Sequence, residues 1–432
     1  MDMYDDYKDS GITWTGMVPS EWEVEPLWTR CDAIVPMRDK PTSFDGDIPW
    51  VKIEDFQGKY IYESKSGSNV SRQLADSMNM KSYPVGTVLC SCSCDLGKCA
   101  VVGAELYSNQ TIIGLVADGK YLISSYLYYL MQSSSTRLNY LASGSIQTYL
   151  SKRDFLHLKM VFPPLLEQEA ISNYLDSKIG DIDSTINNVE KSIALLNECR
   201  QSTITEAVTH GLDPNAPMKP SGIEWIGNVP ITWATPKIKH VAAVKSGATP
   251  DRDNSTYWDG DISWFKTGEL GQKIVYESEE RVSTQALNDT SVRLFRKGTV
   301  LIAMYGQGKT RGKTSILGKD ACTNQACAGI TLQKGMTPEF LHYFLVASYE
   351  PIRQAAQGSG QPNLSVALIS NWKVCEPSID EQEIIVDYLD AKTAEIDALI
   401  ASKTRQVELL REYRKSIIAE AVTGKFKVPG LE

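Results

Sequence analysis

The chain contains no apolar run approaching the roughly 20 residues that span a bilayer, and its opening, MDMYDDYKDS, is acidic where a signal peptide is basic and then apolar. A cytoplasmic protein with no membrane partner is expected. Positive charge is also scarce. Its 44 Lys and Arg against 53 Asp and Glu leave a formal net charge of −9, which disfavours a non-specific nucleic-acid coat. Only four histidines occur, His157, His210, His240 and His342, too dispersed for a metal site or a general-base pair. Nine cysteines without regular spacing argue against a disulfide framework at this length and fit reduced thiols.

Motifs of catalysis are missing as well. YGQGKTRGKTS (305–315) is not a phosphate-binding P-loop, because the residue five before Gly312 is Gln307 where that motif needs Gly. A methyltransferase needs an Asn/Asp-Pro-Pro-aromatic loop; Phe162-Pro163-Pro164-Leu165 begins with Phe and runs into a helix. Glu63-Ser64-Lys65 with Asp47 or Asp55 is a weak nuclease pattern, and its repeat is Glu277-Ser278-Glu279.

What the chain does have is itself, twice. PPLLEQEAISNYLD (163–176) returns as PSIDEQEIIVDYLD (377–390), with 377 − 163 = 390 − 176 = 214. SGITWTGMVPSEW (10–22) matches SGIEWIGNVPITW (221–233), and TITEAVT (203–209) matches IIAEAVT (417–423). Between these frames the copies diverge. Similar frames with dissimilar contents suit a molecule that reads two different targets, whereas an enzyme repeating one active site keeps its polar residues in both copies.

Each insert alternates short β-type runs with turns and then turns helical, a mixed α and β lobe. Each closing segment is a long amphipathic helix. Ile182, Ile186, Val189, Ile193 and Leu196 fall at spacings of three and four, a seam that needs a partner helix, and Ile396, Ile400, Val407 and Leu410 repeat it. Lys403 stands where Val189 does, and Arg200 and Arg414 are matched polar interruptions of the kind that fix register. Pro163-Pro164 precedes the first helix, Ser378 with Glu381 forms a capping-box pattern before the second, and Gly211 and Gly424 stand at the C-terminal ends. From Glu167 to Thr209 each helix runs roughly 65 Å at ~1.5 Å per residue.

The repeated SGIxWxGxxP, EQE…YLD and EAVT segments resemble the specificity subunits of type I restriction-modification systems, over nearly the whole chain. The resemblance implies an α+β fold. Two mixed α/β target recognition domains are separated by an antiparallel two-helix coiled coil, a tandem repeat with pseudo-twofold symmetry. The implied division is 1–20 N-terminal segment, 21–162 first recognition domain, 163–212 first spacer helix, 213–235 linker and repeated segment, 236–376 second recognition domain, 377–423 second spacer helix and 424–432 tail. It implies a non-catalytic subunit that reads a bipartite asymmetric sequence in double-stranded DNA. Its partners are two modification (methyltransferase) subunits and ATP-dependent restriction subunits, docked near the Trp14 and Trp225 segments and the helix ends. No cofactor or metal is expected in this chain; S-adenosylmethionine, ATP and Mg belong to the partners. The rival reading is a coiled-coil adaptor that pairs two proteins without reading DNA.

Candidate contacts follow from groove chemistry. In the glycine-rich 305–315 segment, read as a flexible tip between two β runs, Gln307, Lys309, Thr310, Arg311 and Lys313 reach phosphate or guanine; a solvated hairpin tip is the alternative. The first-copy counterpart, SCSCDLGKCA from Ser91, offers Ser91, Ser93 and Lys98. Its Cys90, Cys92 and Cys94 alternate along one face of a strand rather than as a zinc knuckle. A second repeated segment places Gly144, Ser145 and Gln147 in one copy and Ser359, Gln361 and Asn363 in the other, where Gln pairs with an adenine edge, unless the segment is a structural turn. Asn109-Gln110 and Asn324-Gln325 are expected to be satisfied within the fold, Trp50, Trp264, Trp14 and Trp225 to be packing anchors, and Lys52 and Lys266 to be solvated strand ends, with phosphate contact as the alternative.

Overall fold

The computed structural model describes residues 2–36, 39–143, 149–306, 308–356 and 363–430. It divides into two compact units, Met1–Glu190 with Arg405–Glu432, and Lys191–Thr404. In the first unit β1 (Cys31–Ile34), β2 (Tyr60–Ile61), β3 (Val88–Ser91), β4 (Cys99–Val102) and β5 (Ile112–Ala117) form a sheet in the order β1-β5-β3-β4-β2. β2 joins β4 in parallel and the other pairs are antiparallel. Helices α1 (Ser124–Ser133) and α2 (Ser135–Ser143) follow, then the long α3 (Leu165–His210).

The second unit repeats this plan. β6 (Ala242–Ser246), β7 (Ile274–Val275), β8 (Val300–Ala303), β9 (Thr314–Leu317) and β10 (Cys327–Leu332) are ordered β6-β10-β8-β9-β7, followed by α4 (Pro338–Ala347), α5 (Tyr349–Ala355) and the long α6 (Ile379–Val422). β8 shows why these strands read as unbroken apolar runs. Val300 and Ile302 join Phe340 and Phe344 of α4 and Ile385 and Leu389 of α6 in one cluster, while Leu301 and Ala303 join Phe265, Phe295 and Leu317 in another. Both faces are buried, so period-2 alternation disappears. A smaller three-stranded sheet in each unit carries the buried Trp50 or Trp264. Trp14 and Trp225 are only partly buried, and neither indole N–H has a partner.

The long helices start and stop where proline, serine and glycine dictate. α3 begins directly after Pro163-Pro164, and Gly211 and Gly424 follow the last turns with φ of +79° and +66°. Ser378 Oγ accepts from Glu381 N, but the Glu381 carboxylate turns to Trp233, whose Nε1 donates to it at 3.0 Å. Trp22 and Glu167 make the same bond in the first copy.

Each unit takes one end of both long helices, and inside each the two run antiparallel. In the first unit Asp183 pairs with Arg414 and Glu190 with Arg411, partner numbers falling as helix numbers rise. Ile182, Ile186, Val189 and Val407 are buried there, and Ile396 in the second unit. In the second unit Arg200 pairs with Asp397 at 2.8 Å, the same pair as Arg414 with Asp183 but with the copies exchanged. The two arginines that interrupt the seam are thus met by matched carboxylates.

A buried glutamine and an exposed aspartate fasten the body of each unit to its long helix. Gln168 Nε2 donates to the carbonyls of Tyr121 and Pro163, and its Oε1 accepts from Ile123 N; Gln382 does the same with Gly335, Pro377 and Thr337. Asp176 accepts from Tyr129 and pairs with Lys59, and Asp390 does the same with Tyr343 and Lys273.

Candidate nucleic-acid interface

The cationic segment of the second unit connects β8 to β9, but it is a gripped turn rather than a free tip. Arg353 on α5 donates from Nη1 to the Arg311 carbonyl at 2.7 Å and from Nη2 to the Gly308 carbonyl at 3.0 Å. Tyr349, one helical turn earlier, donates its hydroxyl to the Lys309 carbonyl at 2.6 Å. Burial lifts the Tyr349 phenol above its ordinary range, so it stays a donor, and the Arg353 guanidinium lies 4.9 Å over its ring. Gly312 has φ +90°, and a Cβ there would meet Tyr349 and Arg353 at 3.3–3.4 Å, so glycine lets the turn lie against the helix.

Side chains of this turn differ in exposure. Lys309 is exposed and Thr310 half-buried. Arg311 is half-buried with an unpartnered Nε, and Lys313 is half-buried beside Gly271. Of the other basic residues of this unit, at the opposite end of the β8–β9 pair from the turn, Arg296 is paired with Asp320, whose carboxyl is held below its usual range by the Lys297 N–H and then by Arg296. Arg293 is exposed.

The first unit builds the equivalent turn between β3 and β4 with other chemistry. Gly97 has φ +95°, and a Cβ there would fall 2.1 Å from the Ser135 Cβ. Asn139, four residues on, donates Nδ2 to the Leu96 carbonyl at 3.3 Å. Lys98 and Ser93 are half-buried, whereas Ser91 is fully buried and its hydroxyl donates to the Cys94 carbonyl, leaving no surface for a base. The cysteines do not form one strand face. β3 ends at Ser91, so Cys90 is buried within the strand, Cys92 is buried just beyond it, and Cys94 is exposed in the turn. Burial pushes the Cys92 thiol up to about 11, and Cys99 Sγ lies 3.5 Å from Cys90 Sγ across the β3–β4 pair.

Gly144, Ser145, Gln147, Gln307, Ser359 and Gln361 lie outside the described residues. The chain after the second repeated segment is nonetheless brought to the turn in both copies. Leu150 N donates to the Cys92 carbonyl at 2.8 Å and Leu364 N to the Met304 carbonyl at 3.0 Å, which places the exposed Asn363 beside the second turn. Lys52 and Lys266 stand directly after strands that end at Val51 and Phe265, part-exposed and ion-paired. Lys52 pairs with Glu54, and Lys266 with Glu279 and Glu280. Asn109 and Asn324 cap their own turns, accepting from Thr111 N and Ala326 N.

The residues that sequence reasoning missed are Asn139, Tyr349, Arg353, Gln168 and Gln382. All five bond main-chain carbonyls, which carry no residue identity. The two glutamines sit inside the repeated EQE motif, and that repetition was the available signal.

The geometry agrees with the comparisons to known proteins. The profile of the family described as Type I restriction modification DNA specificity domain matches residues 35–192 and 230–409. The chain belongs to that family and carries two such domains in tandem. It is 21% identical to the Type I restriction enzyme MjaIX specificity subunit of Methanocaldococcus jannaschii, covering 99% of this chain and 98% of that one. It is 24% identical to the MjaVIII specificity subunit of the same organism, covering 76% of each. Among solved structures, the HsdS subunit of Thermoanaerobacter tengcongensis shares the fold at TM-score 0.53 and 18% identity, over 94% of this chain and 98% of that one. A chain from work on complex assembly and conformational transition of the type I R-M system does so at TM-score 0.72 and 17% identity, over 94% and 98%. Family membership does not favour the adaptor reading.

Proposed function

We propose that this chain is the non-catalytic, cytoplasmic sequence-reading subunit of a type I restriction-modification complex, with each unit reading one half of a bipartite, asymmetric DNA target. The observation that carries this reading is the pair of turns at one place on one scaffold, cationic at Lys309–Lys313 and largely neutral at Cys92–Lys98, each held to a helix of its own domain. One frame with two surfaces is what two half-sites require. Lys309, Arg311 and Lys313 supply phosphate anchoring and guanine contacts, and Ser93, Lys98 and Asn363 supply polar contacts. The long helices act as a ruler, because DNA repeats every ~34 Å and a displaced reader faces the wrong side of the duplex.

Catalysis belongs to the partners in this reading. Two modification subunits, docking near the Trp14 and Trp225 segments and the helix ends, bring S-adenosylmethionine, and restriction subunits bring ATP and Mg. The test is co-expression with the modification subunit in a methylation-free host, followed by genome-wide mapping of modified bases. One bipartite motif that depends on this chain is expected, and exchange of residues 21–162 for another member's first domain changes one half only. No methylation from an assembled complex, or a change in both halves, rejects the reading.

A further inference from the structure

We infer that Tyr349 and Arg353 are positioning residues for the second half-site. They contact no DNA themselves; they fix the main chain of the Gly308–Lys313 turn so that its side chains are ordered before DNA arrives. This rests on the reading of that turn as a DNA contact. The two residues are one helical turn apart on α5 and together hold three carbonyls of one short segment, those of Gly308, Lys309 and Arg311.

The guanidinium suits this task for geometric reasons. Its planar fork sends Nη1 and Nη2 to two different carbonyls, which a single ammonium does not reproduce in the same geometry. It is largely withdrawn from solvent, with its side chain 18% exposed, and its Glu350 neighbour stands 4.0 Å away, so the carbonyls are its principal partners. The bonds also cover main-chain oxygens whose partial negative charge would otherwise oppose a phosphate. Gly308 and Gly312, at φ of +59° and +90°, carry no side chain that restricts the backbone, so without the latch more conformations are open to this segment. Ordering it beforehand removes that entropy from the binding step, where it would cost affinity and blur discrimination between correct and incorrect bases.

The first unit supports the assignment by using the same place differently. Asn139 holds the Leu96 carbonyl from the position matching Arg353, while Ser135, matching Tyr349, packs under Gly97. A position that bonds the carbonyl before the turn glycine in both copies, by unrelated side chains, acts on the turn's backbone.

The experiment measures methylation by the complete complex on a plasmid library with single mismatches in either half of the recognised motif. In the R353A and Y349F chains the preference for the correct second half is expected to fall about tenfold, the scale of one lost base-pair preference, while the first-half preference on the same molecules is unchanged. Arg353→Lys restores only part of it. Y349F removes one hydroxyl and keeps the ring, so it remains informative if R353A folds poorly. Equal losses in both halves, or full retention in R353A and Y349F, overturn the inference. A Lys309→Ala, Arg311→Ala, Lys313→Ala triple variant separates the two levels. If it loses second-half preference while R353A and Y349F keep it, the latch fails alone; if it keeps that preference, the reading of the turn fails.

Discussion

The two turns differ most in what lies beneath them. Gly97 presses on the backbone and Cβ of Ser135, the first residue of α2, whereas Gly312 faces side-chain atoms of Tyr349 and Arg353. The first turn is seated on a rigid helix start and the second is held by side chains that reach up to it. Strand order, helix order and the bonds of Gln168 and Asp176, or of Gln382 and Asp390, are the same in both units, so the scaffold tolerates two solutions to one positioning problem. The chemistry of the turn can therefore change without a change of fold.

The sharpest way to break this contrast is to add one methyl group to each glycine. Gly97→Ala meets Ser135 at 2.1 Å from Cβ and 2.6 Å from Cα in a left-handed conformation, and is expected to cost about 3 kcal/mol or more. Gly312→Ala meets only side-chain atoms at 3.3–3.4 Å and should cost about 1–2 kcal/mol. Denaturant unfolding of the two variants reads the difference, and equal losses abolish the distinction.

A second difference is titratable. His342 on α4 is buried beneath β9, where its Nδ1 lies 3.1 Å from the Thr314 hydroxyl; the matching residue of the first unit is Tyr128. Burial, helped by the positive charges of Lys273 and Arg200 and opposed by Asp390, lowers its pKa to about 4. Above pH 6.5 the imidazole is neutral in both folded and unfolded chains and carries no penalty. As the pH falls from 6.5 toward 4 the unfolded chain gains a proton that the folded one refuses, so stability drops by up to about 3 kcal/mol and then levels off. The second unit is expected to melt first in acid, with H342Q flattening the slope between pH 6.5 and 4. A steeper loss in the first unit contradicts this.

The smallest expected effect concerns the helix pair. Arg200→Ala and Arg414→Ala each remove a partly exposed ion pair and should each cost about 0.5 kcal/mol, less at high salt. A large inequality between them shows that the exchanged pairs are not equivalent.

The frame was legible in the sequence because it is written twice. The offset of 214 located both helix starts, and the glycines marked both ends. Of the residues that seam periodicity identified, Ile182, Ile186, Val189, Ile396 and Val407 are buried, and Ile193, Leu196, Ile400 and Leu410 are half-buried. The turns were less legible. Glycines between strands read as freedom, but Gly97 and Gly312 permit close approach to a helix more than 35 residues away in the chain, and no motif linked Arg353 to the turn. Ser91 read as polar and available, yet strand order buries it. Side chains that bond carbonyls leave no partner motif to find, which is why the latches were invisible and the repeated glutamines, though visible, had no stated role.

Those glutamines bear on how such a molecule changes over generations. Gln168 holds its domain through the backbone of Tyr121, Ile123 and Pro163, and Gln382 through that of Gly335, Thr337 and Pro377. Tyrosine and glycine serve equally in the first of these places because the grip never touches a side chain. A socket of this kind is indifferent to the lineage of what is plugged into it: drift or recombination can rewrite the domain's vocabulary while the joint is inherited intact.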